Sequence, residues 1–347
     1  MPPPLPTRVE IDAAGRTFAS GLLLDLTAAL RRTAEGELLA LTAADAAAIE
    51  RDLDAWSRLT GHAIVARTIG DGGARWVIRH GAAARDADAA RRLGERLWLY
   101  VNFDCNLRCD YCCVRSSPAA PRRALGLEIV RRVAAEAPAL GVGSFFVTGG
   151  EPFLLPDLDE QILALAAAAP VTILTNGMLF RGSRLDQLKR LPRDRVTLQI
   201  SLDSPTPDLH DRHRGAGAWQ RAVDGIETAR AEGFRVRLAA TVASDAEARA
   251  FAAFLDRRRV PAEDRVVRRI ALRGFAASGV ALGRSDLVPE ITVTRDGVYW
   301  HPVGADDEDL LVTRDIFPLA AAFDAVRTRV DEDRAHHDRV ASVFYCA

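Results

Sequence analysis

Lysine is almost missing from this chain: Lys189 is the single lysine among 46 lysine and arginine residues, which face 47 carboxylates for a net charge of −1. A chain so nearly neutral carries no basic footprint for nucleic acid or for an anionic membrane surface. Beside the abundant alanine, the preference for arginine reads as the coding bias of a GC-rich genome rather than as a binding surface. Long apolar runs are missing too. Hydrophobic residues make up 48% of the sequence, yet no stretch approaches the roughly 20 residues needed to cross a bilayer. The opening Met1-Pro-Pro-Pro-Leu-Pro has neither the basic nor the apolar region of a secretory signal. Cysteine is scarce, with five in 347 residues. They are clustered instead of being spread as a disulfide framework, which points to a reducing, cytoplasmic setting. The length suggests two or three domains with sizeable cores.

Four of those cysteines lie in one run, Cys105-Asn-Leu-Arg-Cys109-Asp-Tyr-Cys112-Cys113. Soft thiolates on a short loop select iron–sulfur clusters, zinc or copper(I) over hard cations. A structural zinc site closes four ligands around one small ion, and the adjacent Cys112 and Cys113 are poorly placed to turn onto it together. Three cysteines suit a four-iron cluster with one iron left open to a ligand. A zinc knuckle or a set of redox-sensitive cysteines is the competing interpretation of the loop alone. The arrangement resembles the signature loop of the radical S-adenosylmethionine (SAM) enzymes. The resemblance implies a [4Fe-4S] cluster on Cys105, Cys109 and Cys112, SAM chelated by the fourth iron, and Tyr111 near the adenine.

From about Arg8 to Arg79 the pattern is strand, helix, strand, helix, strand, strand. Leu22 to Leu30 has helical apolar spacing, Asp45 can cap a helix running towards Leu59, and Gly61 stops it. Asp71-Gly72-Gly73 marks a hairpin turn. This segment, 1–80, resembles the small α+β, two-layer sulfur-carrier fold of TusA-like proteins. That family carries persulfide sulfur on a cysteine followed by proline after the first strand; here Phe18 and Ala19 occupy those places. The resemblance therefore implies a domain that no longer carries sulfur. Residues 81–95 read as a charged, helical linker.

Between 96 and 285 strands alternate with helices. The strand patterns are Leu97 to Asn102, Ser144 to Thr148, Val171 to Leu174, Val196 to Leu202, Val236 to Val242 and Val266 to Ala271. Such alternation predicts an α/β fold with a parallel sheet and right-handed crossovers, and the family resemblance makes it a partial (β/α)6 TIM-like barrel. Function is then expected at the strands' C-terminal ends. Gly149-Gly150-Glu151-Pro152 follows the second of these strands and matches the family's motif for the methionyl amino group of SAM. Asn176, Ser201 and Asp203 at the next strand ends match the family's polar SAM contacts. Arg214 can hold a carboxylate in a bidentate fork. His210 and His213 read as ordinary loop histidines.

Residues 286–347 predict a hairpin around Asp296-Gly297 followed by a helix. The hairpin resembles the SPASM and twitch extensions that bind auxiliary clusters, but His301 and Pro302 stand where a cysteine is expected. The extension is read as metal-free. Cys346, the remaining cysteine, is a candidate hydrogen-atom donor or an incidental terminal thiol.

The resulting expectation is a radical SAM enzyme acting on a peptide or small-molecule substrate, with an electron donor such as flavodoxin or ferredoxin, and with neither nucleic acid nor membrane as partner. The alternatives are a sulfur-inserting radical SAM enzyme served by a carrier partner, and a non-catalytic iron–sulfur sensor.

Overall fold

The computed structural model describes residues 6–13, 22–30, 32–34, 36–60, 62–70, 73–81 and 93–343. The chain divides into two compact units, Met1–Arg91 and Arg92–Ala347. Phe18, Ala19, most of the linker and Cys346 lie outside the described residues.

In the first unit β1 (Val9–Asp12), α1 (Leu22–Leu30), β2 (Leu38–Ala43), α2 (Ala47–Thr60), β3 (Ala63–Gly70) and β4 (Gly73–Arg79) follow one another as the sequence pattern predicts. The sheet order is β1-β2-β4-β3. β1 and β2 run parallel, a pairing that needs a crossover, and α1 supplies it. β3 and β4 pair antiparallel from Gly70↔Gly73 onward. On α2 the buried residues Ile49, Leu53 and Trp56 recur at helical spacing. They close a core with Leu22, Leu26, Leu39, Leu41 and Trp76. Gly73 has φ +118°, and a Cβ there would stand 2.6 Å from the Ala43 carbonyl oxygen.

The second unit is built on β5 (Arg96–Tyr100), β6 (Ser144–Thr148), β7 (Val171–Thr175), β8 (Val196–Ser201), β9 (Arg235–Val242) and β10 (Arg265–Arg269). All six are parallel and each lies beside its predecessor. The crossover helices include α3 (Leu127–Glu136), α4 (Leu158–Ala168), α5 (Ser183–Arg190), α6 (Pro207–Arg214), α7 (Ala218–Ala231) and α8 (Asp245–Arg257). Alternate strand residues such as Leu97, Leu99, Phe145, Val147, Leu198, Ile200, Leu238 and Ala240 share one core with Val133, Ile162, Ile226 and Leu255 of the helices. One sheet face is therefore sealed by helices, and the intervening residues occupy the other face.

Two helices were not legible in the sequence pattern. α5 is short and strongly charged. α6 corrects the reading of His210 and His213 as loop residues, since both are helical. Pro207 enters that helix in its first turn, where a missing N–H costs nothing, and Gly215 at φ +107° ends it. The C-terminal hairpin forms as expected from β11 (Thr292–Thr294) and β12 (Gly297–Tyr299). β11 also pairs in parallel with β5, so the hairpin and β13 (Leu311–Thr313) extend the main sheet. The closing helix α9 (Leu319–Val343) buries Leu319, Ala322, Phe323 and Val326 in the same core. Among the described residues no helix is long and apolar enough to cross a membrane.

Candidate functional site at the C-terminal ends of the strands

The cysteine run leaves β5 as a loop held by the Cys105 N–H donating to the Ser117 carbonyl at 3.2 Å and the Cys112 N–H to that of Cys109 at 3.2 Å. Cys105 is buried, and with Cys109 it shares an apolar cluster with Leu107, Met178 and Ala218. Three chain segments distant in sequence meet there: the cysteine loop, the end of β7 and the start of α7. Burial, then the Glu151 carboxylate, pushes the Cys105 thiol well above its ordinary range, and burial raises that of Cys109. Cys113 packs with Cys112 against the main core, and burial followed by the neighbouring Cys112 pushes its thiol up to about 12. Gly274 lies against this loop so closely that any Cβ would overlap the Cys112 carbonyl, and Phe275 donates its N–H to that same oxygen at 2.8 Å.

Gly149 and Gly150 follow β6. A Cβ on Gly149 would overlap Asn102 and one on Gly150 would overlap the Asp104 carbonyl. Glycine is required here because the turn is pressed onto the strand end that feeds the cysteine loop, a reason additional to ligand approach. Asn102 fastens the two, donating its amide to the carbonyls of Asp104 (3.2 Å) and Glu151 (2.9 Å). Glu151 itself is fully buried. Its carboxylate accepts the Phe153 N–H (3.1 Å), the Thr175 hydroxyl (2.8 Å) and the Asn176 N–H (2.8 Å). Burial outweighs these bonds and leaves its pKa raised. Asn176 in turn donates to Asn106 of the cysteine loop at 2.8 Å and accepts the Met178 N–H. Asn102, just before the cysteine run, and Asn106, inside it, escaped the sequence reading; their nearness to the cysteines was the available signal.

Asp203 is almost wholly buried. Arg214 donates to it twice, at 2.6 and 3.3 Å, the Thr241 N–H donates at 3.1 Å, and the Tyr111 hydroxyl makes a short bond to it. Those four bonds fill the lone pairs of a carboxylate. Burial works to raise its pKa, but the Arg214 charge prevails and holds Asp203 below its usual range. The bidentate fork expected of Arg214 therefore forms, and its target is Asp203 rather than a ligand. Arg214 also lies over the Tyr111 ring at 5.6 Å, which orients that ring from two directions. His210 accepts the Asp203 N–H at Nδ1, 3.1 Å, and its buried Nε2 has no partner. Burial, then the nearby Arg214, lowers its pKa to about 4. Ser201, half-buried, ends β8 between these groups.

The donor set fits a soft, multi-iron centre. Cys105 lies within electrostatic range of both Cys109 and Cys112, and a cationic centre would draw the protons from thiols that burial keeps neutral. Among the described residues no three Cys, His, Asp or Glu side chains converge on a single-ion site. A four-iron cluster asks for less convergence, because each thiolate meets its own iron.

Residues 99–244 match the family model of the Radical SAM superfamily. That stretch, less than half of the chain, is similar to the Radical SAM superfamily domain, and members of that superfamily are enzymes that use a [4Fe-4S] cluster and SAM. The probable GTP 3',8-cyclase of Aeropyrum pernix is 33% identical over 159 residues, 44% of this chain and 44% of its own. The antilisterial bacteriocin subtilosin biosynthesis protein AlbA of Bacillus subtilis is 34% identical over 153 residues, 42% of this chain and 33% of its own. This chain therefore spans less than half the length of these relatives. The solved structure of tagged anSMEcpe with bound AdoMet shares the fold, with a TM-score of 0.53 over 67% of this chain and 78% of that one, at 15% identity.

Proposed function

We propose that this chain is a radical SAM enzyme in which Cys105, Cys109 and Cys112 bind three irons of a [4Fe-4S] cluster. When bound, cluster and SAM together supply reductive cleavage of the sulfonium and a 5′-deoxyadenosyl radical that takes a hydrogen atom from the substrate. The supporting observation is convergence: the three thiols, the Gly149-Gly150-Glu151-Pro152 turn, Asn176 and Ser201 all stand at the C-terminal ends of adjacent parallel strands. The turn and Asn176 serve the methionine end of SAM, and Tyr111 serves the adenine. Asp203 and Arg214 act as positioning residues, since the carboxylate of one is filled by the other and by the Tyr111 hydroxyl. Cys113 is left out of the cluster because three thiolates already leave the fourth iron open to SAM.

The six-strand sheet is read as a partial (β/α)6 barrel, the first unit as a TusA-like domain that has lost its carrier cysteine, and the C-terminal hairpin and helix as a metal-free twitch-like extension. A peptide substrate is preferred over a small metabolite: AlbA is named for bacteriocin biosynthesis, and the extra domain offers a docking surface. Flavodoxin or ferredoxin is the proposed electron donor, and the cytoplasm the proposed location. Anaerobically reconstituted protein should bind four irons and, with reductant, convert SAM to 5′-deoxyadenosine. Alanine at Cys105, Cys109 or Cys112 should abolish both, and Cys113→Ala should keep the cluster. Loss of the cluster in Cys113→Ala with retention in Cys112→Ala would refute the ligand assignment.

A further inference from the structure

The cysteine run is followed by a residue in an uncommon conformation. Arg115 has φ +53°, in the left-handed region that a residue bearing a Cβ enters only at a cost. It stands two residues before Ser117, whose carbonyl accepts the Cys105 N–H and closes the loop at its neck. Such a conformation persists where surrounding contacts hold it. Here they come from the turn between β12 and β13: Arg115 Nη1 donates to Asp306 and to Asp307, at 2.9 Å each.

That turn, Asp306-Asp307-Glu308-Asp309, has the composition of a solvated acidic turn, yet its side chains part company. Those of Asp306 and Asp307 are only 7% and 16% exposed, whereas that of Glu308 is 73% exposed and pairs with the exposed Arg314. A second arginine, Arg273 from the segment after β10, meets the same turn. Asp307 Oδ2 accepts Arg273 Nη1 at 2.9 Å, and Asp309 accepts from Nη1 and Nη2 of the same guanidinium at 3.2 and 2.9 Å. Arg273 is buried there and also donates to the Leu282 carbonyl at 2.8 Å.

The residues next to Arg273 reach a proposed cluster ligand. Gly274, at φ +63°, is pressed onto the Cys112 carbonyl, and the Phe275 N–H donates to that oxygen at 2.8 Å. Over the Phe275 ring lies the guanidinium of Arg108, from the cysteine run itself, 4.8 Å from the ring centre. The main chain of Cys112 is thus held at two points, by the 273–275 segment and by the turn through Arg115, three residues on. One carboxylate serves both: Oδ1 of Asp307 takes Arg115 and Oδ2 takes Arg273. A carboxylate can do this because both its oxygens accept. An amide has a single acceptor oxygen, and its NH2 group would face the other guanidinium.

We propose that Asp307 is a positioning residue of the cofactor site, which fixes the Cys112 ligand by holding Arg115 and Arg273 together. The assignment rests on the radical SAM reading and gives the metal-free C-terminal extension a task at the cluster: it braces the cysteine loop. Retention and spectrum of a four-iron cluster both depend on how its thiolates are held.

The test uses full-length Asp307→Asn, Arg115→Gly and Glu308→Gln, each anaerobically reconstituted beside the unmutated protein. Iron loss to a ferrous chelator is timed, and electron paramagnetic resonance spectra of the reduced cluster are recorded with and without SAM. Far-UV circular dichroism and the melting temperature report on the fold. Asp307→Asn is expected to lose iron about tenfold faster and to change the spectrum of the SAM-bound cluster. Arg115→Gly removes one support while relieving the left-handed strain, and should lose iron several-fold faster. Glu308→Gln, one residue along the turn, should match the unmutated protein in both readouts. A lowered melting temperature of Asp307→Asn with unchanged iron loss and spectrum would make the residue structural only and overturn the proposal. An equal effect of Glu308→Gln would trace the change to the charge of the turn and overturn it as well. If Asp307→Asn does not fold, Arg115→Gly decides: faster iron loss supports the brace, and an unchanged rate overturns it. Absence of a cluster in the unmutated protein would refute the cofactor reading itself, so the two failures are distinct.

Discussion

At the scale of single residues, the Asp203–Arg214 pair decides how the pocket wall is held. Both side chains are more than nine-tenths buried, so removing either leaves an uncompensated charge. Arg214→Met should destabilise the protein by roughly 3–5 kcal/mol. Arg214→Lys keeps the charge but loses the planar fork, at a cost of about 1–2 kcal/mol. Denaturant unfolding curves check both values, and an equal effect of the two changes would mean that the planar fork matters and the charge alone does not. His210 adds a pH dependence of definite sign. Its folded pKa of about 4 lies below the ordinary 6.5, so the unfolded chain binds the proton first as pH falls. The neutral ring's contribution is complete above pH 6.5 and is lost between there and pH 4, on the order of 3 kcal/mol. His210→Gln should flatten that part of the stability–pH curve. An unaltered slope would show that other groups carry it.

At the scale of elements, the close approach of backbone to backbone places glycines where side-chain reasoning does not look. Gly225 lies inside α7, where alanine should favour the helix by about 1 kcal/mol. Its Cβ would overlap the carbonyl oxygen of Gly177, at the end of β7 beside Asn176. A main-chain oxygen cannot swing aside as a side chain can, and overpacking of this kind costs about 1–3 kcal/mol. Gly225→Ala is therefore expected to lower the melting temperature despite its propensity gain. It should also weaken SAM binding through the displaced 175–178 segment. A stabilised variant with unchanged SAM affinity would show that α7 shifts freely. α6 makes a related point: its eight residues are too polar to announce a helix, yet Asp211 caps the next one, accepting the N–H groups of Gly217 and Trp219 at 2.7 Å each.

At the scale of the molecule, two separate cores predict two folding units. The Leu22–Leu39–Trp76 core and the Leu97–Phe145–Phe323 core share no residue. Calorimetry of the full chain should resolve two transitions. A chain beginning at Arg92 should keep one of them, together with its bound iron and its cleavage of SAM without substrate, since every cofactor residue named here lies beyond Cys105. Loss of iron on truncation would make the first unit necessary to the cofactor site.

The sequence by itself determined what is local and periodic. The strand–helix alternation, the cysteine spacing and the Gly149–Pro152 turn are each written within a few dozen residues, and the six parallel strands appear within two residues of their expected ends. The Asp-Gly hairpin was equally plain, because a two-residue turn fixes its own register. Tertiary structure alone decided the partners of the polar groups. Arg214 was recognisable as a fork, but whether its target was a ligand or Asp203 depended on α6 folding back over β8. The glycines of the turn were recognisable, but not that Asn102 and Asp104 press on them. Hydrophobic periodicity reports which way a side chain points; which charge it meets there depends on strand register and on loops from elsewhere in the chain.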